Sequence, residues 1–289
     1  MQNKELWPNE NDVSAQGLRL IAGQDTEFKV SVKMDRPSIN LSLNTTRLAV
    51  LEEFPGWDRV GHFIKSIIVE NGYKTIGDIG GGRLPRVELD FVKQNNLAYH
   101  LFDISQPELD RADNGYHKVL MDVACSDNEL SSSKVPRNFD LIFSHMLLEH
   151  LHDPLQAHRN FFKMLRPGGL SVHMFPSRNN LPLFVNGLIP EKLSHSLLKK
   201  LQPHRDTDGQ EGKFEAFYHL CGAPNAKLRA LYESTGFEVL QHTSFVGHEY
   251  YKRIKPLAMI ERALRPFIVS AGLPLITANL LILRKPLSH

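Results

Sequence analysis

An α/β fold on a mostly parallel sheet is what the sequence predicts, and three observations carry that expectation. The run Thr75-Ile76-Gly77-Asp78-Ile79-Gly80-Gly81-Gly82 reads as a buried strand that ends in an acid and three glycines, with a helical pattern after it. Further strand-like runs at 98–103, 117–122 and 139–144 recur with polar, helix-compatible stretches between them. Apolar runs at 170–176, 237–243 and 275–283 follow the same alternation. Strands that alternate with helices imply crossover units and a parallel sheet, because each parallel connection must travel back along a face of the sheet.

The glycine run is the first element to justify. Glycines at a strand-to-helix turn admit backbone conformations closed to other residues and allow a ligand to come close. Pro85 suits a first helical position, and Val87, Leu89, Val92 and Leu97 predict a helix that ends near Gln94-Asn95-Asn96. The spacing bears on the ligand. Gly80 and Gly82 fit the first two places of G-x-G-x-x-G, but Pro85 stands where a dinucleotide loop needs its third glycine. No Gly-Lys-Ser/Thr follows, so a phosphate loop of the NTPase kind is also disfavoured.

The later strands continue the pattern. The second ends in Asp103, 25 residues after Asp78, a spacing suited to a carboxylate on ribose hydroxyls, and the third ends in Asp122. The fourth runs into His145-Met146-Leu147-Leu148-Glu149-His150-Leu151-His152-Asp153-Pro154, and Leu165-Arg166-Pro167-Gly168-Gly169 reads as a turn before the fifth. The acidic-x-Gly-x-Gly loop, the E-H-x-x-D-P segment and the L-x-P-G-G turn, in this order over residues 70 to 180, resemble the class I S-adenosylmethionine (SAM) methyltransferases. Leu84 departs from the family's loop, which commonly carries a third glycine there.

The resemblance implies a Rossmann-like, doubly wound, seven-stranded, mostly parallel sheet with helical insertions, and SAM as the cofactor. It implies a cofactor site of Asp78, Gly80, Gly81, Gly82, Asp103, Ile104, Asp122, Val123 and Ser144, with Asp103 on the ribose and Asp122 near the adenine amino group. It also divides the chain into an arm with capping helices over 1–70 and a methyltransferase domain over 71–289. Insertions at 176–224 and 246–273 would then shape the acceptor pocket.

Composition agrees with an enzyme of this size: 289 residues are 42% apolar with a net charge of +2. No basic block marks a nucleic-acid surface, so a nucleic-acid partner is not expected. The two cysteines, Cys125 and Cys221, show no metal spacing and fit a reducing, cytoplasmic compartment. The opening ten residues are polar and carry no secretory signal. Short strands are expected around 28–32, and one or two helices over 45–72, interrupted at Pro55-Gly56 and stopped at Gly72. Residues 266–283 hold no charge over 18 positions, but Pro266 and Pro274 argue for helix, turn and strand rather than a membrane span.

Methyl transfer from a sulfonium needs alignment, and a base if the acceptor is a hydroxyl. The layout puts His145, His150 and His173 near the fourth and fifth strand ends, with His145 first among them. Asp153-Pro154 reads as a helix N-cap followed by proline, and no metal is expected. Two segments carry aromatics among polar groups, Pro203-His204-Arg205 and 214–221 with Tyr218 and His219, and suit an acceptor. A basic amphipathic helix over 252–268 either packs on the sheet or makes a peripheral membrane contact. The acceptor expected is a small molecule or glycan, methylated at oxygen. The alternatives are a protein or nucleic-acid methyltransferase and a catalytically silent SAM-binding protein; oligomeric state is left open.

Overall fold

The computed structural model describes residues 18–22, 28–32, 50–51, 60–178, 215–246, 255–270 and 275–287. Strands β1 (Leu18–Ala22) and β2 (Phe28–Val32) form an antiparallel pair of their own, with Leu18 opposite Val32. The main sheet has eight strands: β3 (Val50–Leu51), β4 (Thr75–Ile79), β5 (Ala98–Asp103), β6 (His117–Leu120), β7 (Phe139–His145), β8 (Leu165–Pro176), β9 (Glu238–Phe245) and β10 (Ala278–Arg284). Their order is β3-β9-β10-β8-β7-β4-β5-β6. Seven of them form the expected sheet, and the two-residue β3 adds an edge beside β9, in a stretch where the sequence predicts helix. Only β10 runs against its neighbours, β8 and β9.

Chain order reverses between β4 and β7, since β4 pairs with β5 on one side and β7 on the other. That switch point opens a crevice at the strands' carboxyl ends, where α/β sheets bind ligands.

The helices among the described residues are α1 (Val60–Asn71), α2 (Leu89–Gln94), α3 (Gln106–Arg111), α4 (Asp127–Ser132), α5 (Pro154–Met164), α6 (Ala226–Glu233) and α7 (Lys255–Ser270), with a 3₁₀ turn at Leu148–His150. The two largest buried clusters place α1, α5 and α6 against the sheet. One gathers Ile64, Ile67 and Ile68 of α1 against Leu170, Val172, Leu280 and Ile282. The other gathers Ala157, Phe161 and Met164 of α5 and Tyr232 of α6 against Phe175, Leu281 and Leu283. Leu280 to Leu283 alternate between clusters, the period of two that a strand buried on both faces imposes.

Local signals place several ends. Gly72 stops α1 at φ +64°. Asp153 caps α5 by accepting the Gln156 N–H at 3.0 Å, with Pro154 in the first turn as expected. Asn225 caps α6 in the same way through Leu228 N–H at 2.9 Å.

Two expectations need correction. Strand β8 already pairs at Leu165 and bulges through Arg166–Gly169, because Phe139 and Leu141 register with Leu165 and Leu170. The L-x-P-G-G stretch is therefore an irregularity inside a strand, with Gly168 at φ +77°. Pro85 does not open a helix: α2 begins only at Leu89. The Arg86 N–H is donated to Asp78 Oδ2 at 3.2 Å and the Val87 carbonyl accepts the Tyr116 hydroxyl at 2.9 Å, so tertiary partners hold this backbone in a non-helical course.

Candidate active site

The turn after β4 is built by backbone geometry. Gly80 and Gly82 sit at φ +73° and +44°, the left-handed region where a side chain is strained. A Cβ at Gly80 would lie 2.8 Å from Leu147 Cδ1, and one at Gly82 would lie 2.9 Å from Asp103 Oδ2. The loop thus passes within van der Waals range of the β7 turn on one side and the β5 carboxylate on the other. The Gly80 N–H donates to Phe102 O at 2.8 Å, which ties the loop to the end of β5.

Asp103 is half-buried, its Oδ1 accepting the Ser105 N–H at 2.8 Å. Burial raises its pKa, countered by that backbone N–H and reinforced by Glu108. Its other oxygen faces Gly82 of the glycine loop. Ile104, 61% exposed beside it, offers an apolar surface to a base. Asp122 follows β6, and its Oδ1 accepts the Ala124 N–H at 2.8 Å, which holds the turn in place. The glycine cradle and these carboxylates fit an adenosyl cofactor.

Three members of the expected cofactor set point elsewhere. Asp78 is 1% exposed, and its Oδ2 accepts the Tyr99 hydroxyl at 2.6 Å as well as the Arg86 N–H. Burial pushes its pKa up to about 6 despite those two donors. Ser144 is buried with its Oγ 2.8 Å from His173 Nδ1. Val123 packs in the core, and its carbonyl accepts from Asn160 Nδ2 at 2.9 Å. The side chains of Ser144 and Val123 are thus taken up by the core, and it is their backbone that remains for a cofactor.

The turn past β7 flanks the glycine loop on its other side. Met146 takes φ +57°, which turns the chain sharply after His145, and its N–H donates to Met174 O at 2.8 Å. His145 is half-buried, and burial together with nearby Arg86 lowers its pKa to about 3, so the ring is neutral but weakly basic.

Glu149 is 2% exposed, its Oε2 has no hydrogen-bond partner among the described residues, and burial drives its pKa up to about 8. At neutral pH it is a carboxylic acid. Its backbone carbonyl accepts the N–H groups of Phe217 and Tyr218 at 2.8 and 3.0 Å, and His150 Nδ1 lies 2.8 Å from Glu215 O. Residues 215–221 are so stitched onto the β7 turn. Tyr218 and Leu220 are held at φ +54° and +60°, unusual for bulky residues, and Phe217 stacks on His219 with rings 5.9 Å apart.

His150 therefore has a tether as its visible task. His173 is fully buried, with Nε2 2.6 Å from Ser171 Oγ and its ring stacked on Phe161 at 5.3 Å. A ring with no exposed surface and both nitrogens engaged cannot meet an acceptor, which corrects the expectation of catalysis there. Glu149 was legible only as part of a motif, since nothing local announces that its partner lies 68 residues on. Among the described residues no cluster of three or more His, Cys, Asp or Glu could hold a metal. Pro203-His204-Arg205 lies outside the described residues.

A methyltransferase-domain family model matches residues 60–242, which take in β4 to β8 and the start of β9. Solved structures resemble the chain at low identity. A SAM-dependent methyltransferase from Mesorhizobium loti is 16% identical, with 79% of this chain and 100% of that one covered at a TM-score of 0.48. A SAM-dependent methyltransferase from Archaeoglobus fulgidus is 15% identical over 78% and 94%, at 0.46. Phosphoethanolamine N-methyltransferase 2 of Haemonchus contortus, in complex with S-adenosyl-L-methionine, is 14% identical over 77% of this chain and 52% of its own, at 0.45. No curated protein matches the chain. With a family model over more than half its length on a sheet of the expected order, the chain belongs to the methyltransferase-domain family and is a SAM-dependent methyltransferase.

Proposed function

We propose that this methyltransferase methylates an oxygen of a small-molecule or glycan acceptor, bound between the β7 turn and the segment 215–221. The observation that carries the reading is the stitching of that segment to Glu149 and His150, which brings an aromatic pair, Phe217 and His219, beside the turn that bears His145. Aromatic faces next to a few polar groups suit a sugar ring or another compact metabolite. The free thiols Cys125 and Cys221 accord with a cytoplasmic setting.

In the donor half, Asp103 would accept the ribose hydroxyls, Ile104 would cover the base, and the backbone of Gly80–Gly82 would give the amino-acid end close approach. Bound there, SAM supplies a sulfonium-activated methyl group. The protein then holds the acceptor oxygen in line, and His145 takes the proton that this oxygen loses. A ring held neutral by burial is always ready to accept that proton but pulls weakly, so alignment contributes more than base strength.

Helix α7 bears on how the acceptor arrives. Met259, Ile260, Leu264 and Phe267 are 73%, 57%, 45% and 61% exposed, while Ile268 is buried. At 100° per residue these four fall on one arc, and exposed Arg262 lies outside it. This observation favours a second reading for the partner, in which the helix rests on an anionic lipid surface and the acceptor is amphipathic. Among the described residues no helix is long and apolar enough to cross a membrane.

Two experiments test these readings. Labelled SAM incubated with fractionated cell extract should mark a low-molecular-mass or glycan fraction; label confined to protein or nucleic acid would overturn the acceptor class. Phosphatidylserine vesicles at low salt should sediment the protein, and Phe267→Asp should weaken that binding several-fold. Equal recovery with and without vesicles would remove the lipid reading.

A further inference from the structure

The acid before the glycine loop faces away from the crevice. Both donors that reach Asp78, the Tyr99 hydroxyl from β5 and the Arg86 N–H from beyond the loop, converge on the same oxygen, Oδ2, at 2.6 and 3.2 Å. Gly81 is pressed on that carboxylate, since a Cβ there would lie 2.7 Å from Oδ2 and 2.5 Å from Leu101 Cδ1. Tyr99 is itself held: it is 3% exposed, with its ring centroid 5.7 Å from Tyr116 and 6.4 Å from Phe143 of β7. Tyr116 extends the chain of contacts by donating to Val87 O at 2.9 Å. The glycine loop is thus clamped at its start through Asp78, in its middle through Gly81 and at its exit through Arg86 and Val87, all of it resting on two tyrosines.

We propose that Tyr99 is a positioning residue for the donor site: by holding Asp78 Oδ2 it sets the course of residues 80–87, and Asp78 acts on the cofactor through that backbone rather than by touching it. A buried carboxylate with one donor removed loses a charge-assisted bond and leaves a strongly desolvated oxygen, so the clamp is sensitive to a single hydroxyl. The phenol also keeps Asp78 ionised, because its hydrogen bond opposes the burial that pushes the acid up to about 6. The other charged groups acting on Asp78 are Arg86, which favours ionisation, and Asp103, which opposes it. On the far side of Tyr99 lies Tyr116, which feels Asp113, Asp78, Glu88 and Asp90. From β7, His145 stays neutral and its charged neighbour is again Arg86.

The inference rests on SAM being the donor, and the test separates the two. The full-length protein is titrated calorimetrically with S-adenosylhomocysteine from pH 5 to 8, and thermal melts are recorded alongside. Absence of saturable binding by the wild type would sink the donor reading and this inference with it. Tyr99→Phe keeps the ring packing and removes only the hydroxyl; its Kd at neutral pH should rise about tenfold. Relative to wild type, the pH below which its affinity declines should also move upward, since the acid has lost the donor that kept it charged.

Asp78→Asn keeps an oxygen for both donors and removes the charge that titrates. It should bind as the wild type does at its acid limit, more tightly than Tyr99→Phe, and lose the wild type's pH dependence in this range. A Tyr99→Phe protein that melts lower yet binds with wild-type Kd at every pH would make Tyr99 a packing residue and overturn the proposal. So would a larger loss at Asp78→Asn than at Tyr99→Phe, because that would put the carboxylate's charge on the cofactor itself. If Tyr99→Phe fails to fold, the Asp78→Asn profile decides alone: an affinity no weaker than the wild type's at its acid limit, without titration, supports the clamp, and a greater loss refutes it.

Discussion

The two halves of the crevice are built by different means. On the donor side, β4, β5 and β6 end in carboxylates and a glycine turn whose neighbours in space are also neighbours in the motif. On the acceptor side, β7 ends in a neutral imidazole and a neutral carboxylic acid, and residues from far along the chain complete the wall. The donor half works through backbone shape and partly buried carboxylates. The acceptor half works through burial, which has stripped His145 and Glu149 of charge. A cofactor common to a family can be met by a fixed local device, whereas an acceptor is met by whatever the distant segments bring.

Gly82→Ala should produce the largest effect on binding and strike the donor half alone. A side chain at φ +44° is strained, and its Cβ would push on Asp103 Oδ2 2.9 Å away. Strain of about 1–2 kcal/mol plus a displaced carboxylate should weaken S-adenosylhomocysteine binding about a hundredfold. Calorimetry showing unchanged affinity would mean that Asp103 is not a ligand.

His145→Ala should act on the other half. Turnover is expected to fall by about a hundredfold with cofactor affinity intact, at the lower end of general-base effects because the ring is so weak a base. Since burial and Arg86 hold its pKa near 3, wild-type turnover should show no inflection from this histidine between pH 5 and 8. Cofactor affinity that falls in step with turnover would erase the division between halves.

Glu149→Gln sharpens the comparison through stability. The acid's pKa is about 8 folded against 4.5 ordinarily, so the folded chain keeps a proton that the unfolded chain releases. Its contribution is full below pH 4.5 and is lost as pH rises through 8. The amide does not titrate, so Glu149→Gln should gain on the wild type from pH 5 to 9, by about 4 kcal/mol over the roughly three units in which only the unfolded acid is ionised. Thermal melts across that range measure it. A constant difference would mean that Glu149 is already ionised.

Much of this was legible in residue order, and the exceptions have a common origin. The glycine turn, Asp103, the strand ends and the cap at Asp153 announce themselves because each depends on residues within a few positions. The helix expected from Pro85 failed because Asp78 and Tyr116 capture the backbone that local propensity would have coiled. The catalytic expectation for His173 failed because strand alternation does not say which inward position meets Ser144 and Phe161. The exposed arc of α7 could be drawn from its spacing, but not whether the sheet covers it.

By itself, then, residue order determined the sheet, the turn that receives the donor and the acid on the second strand, since short-range sterics and hydrogen bonding settle those. Tertiary structure alone decided that Asp78 faces Tyr99, that Glu149 is neutral, and that residues 215–221 close over the β7 turn. Protonation and contact at those places depend on desolvation and on partners brought together from distant positions, and neither quantity is a property of any short stretch of chain.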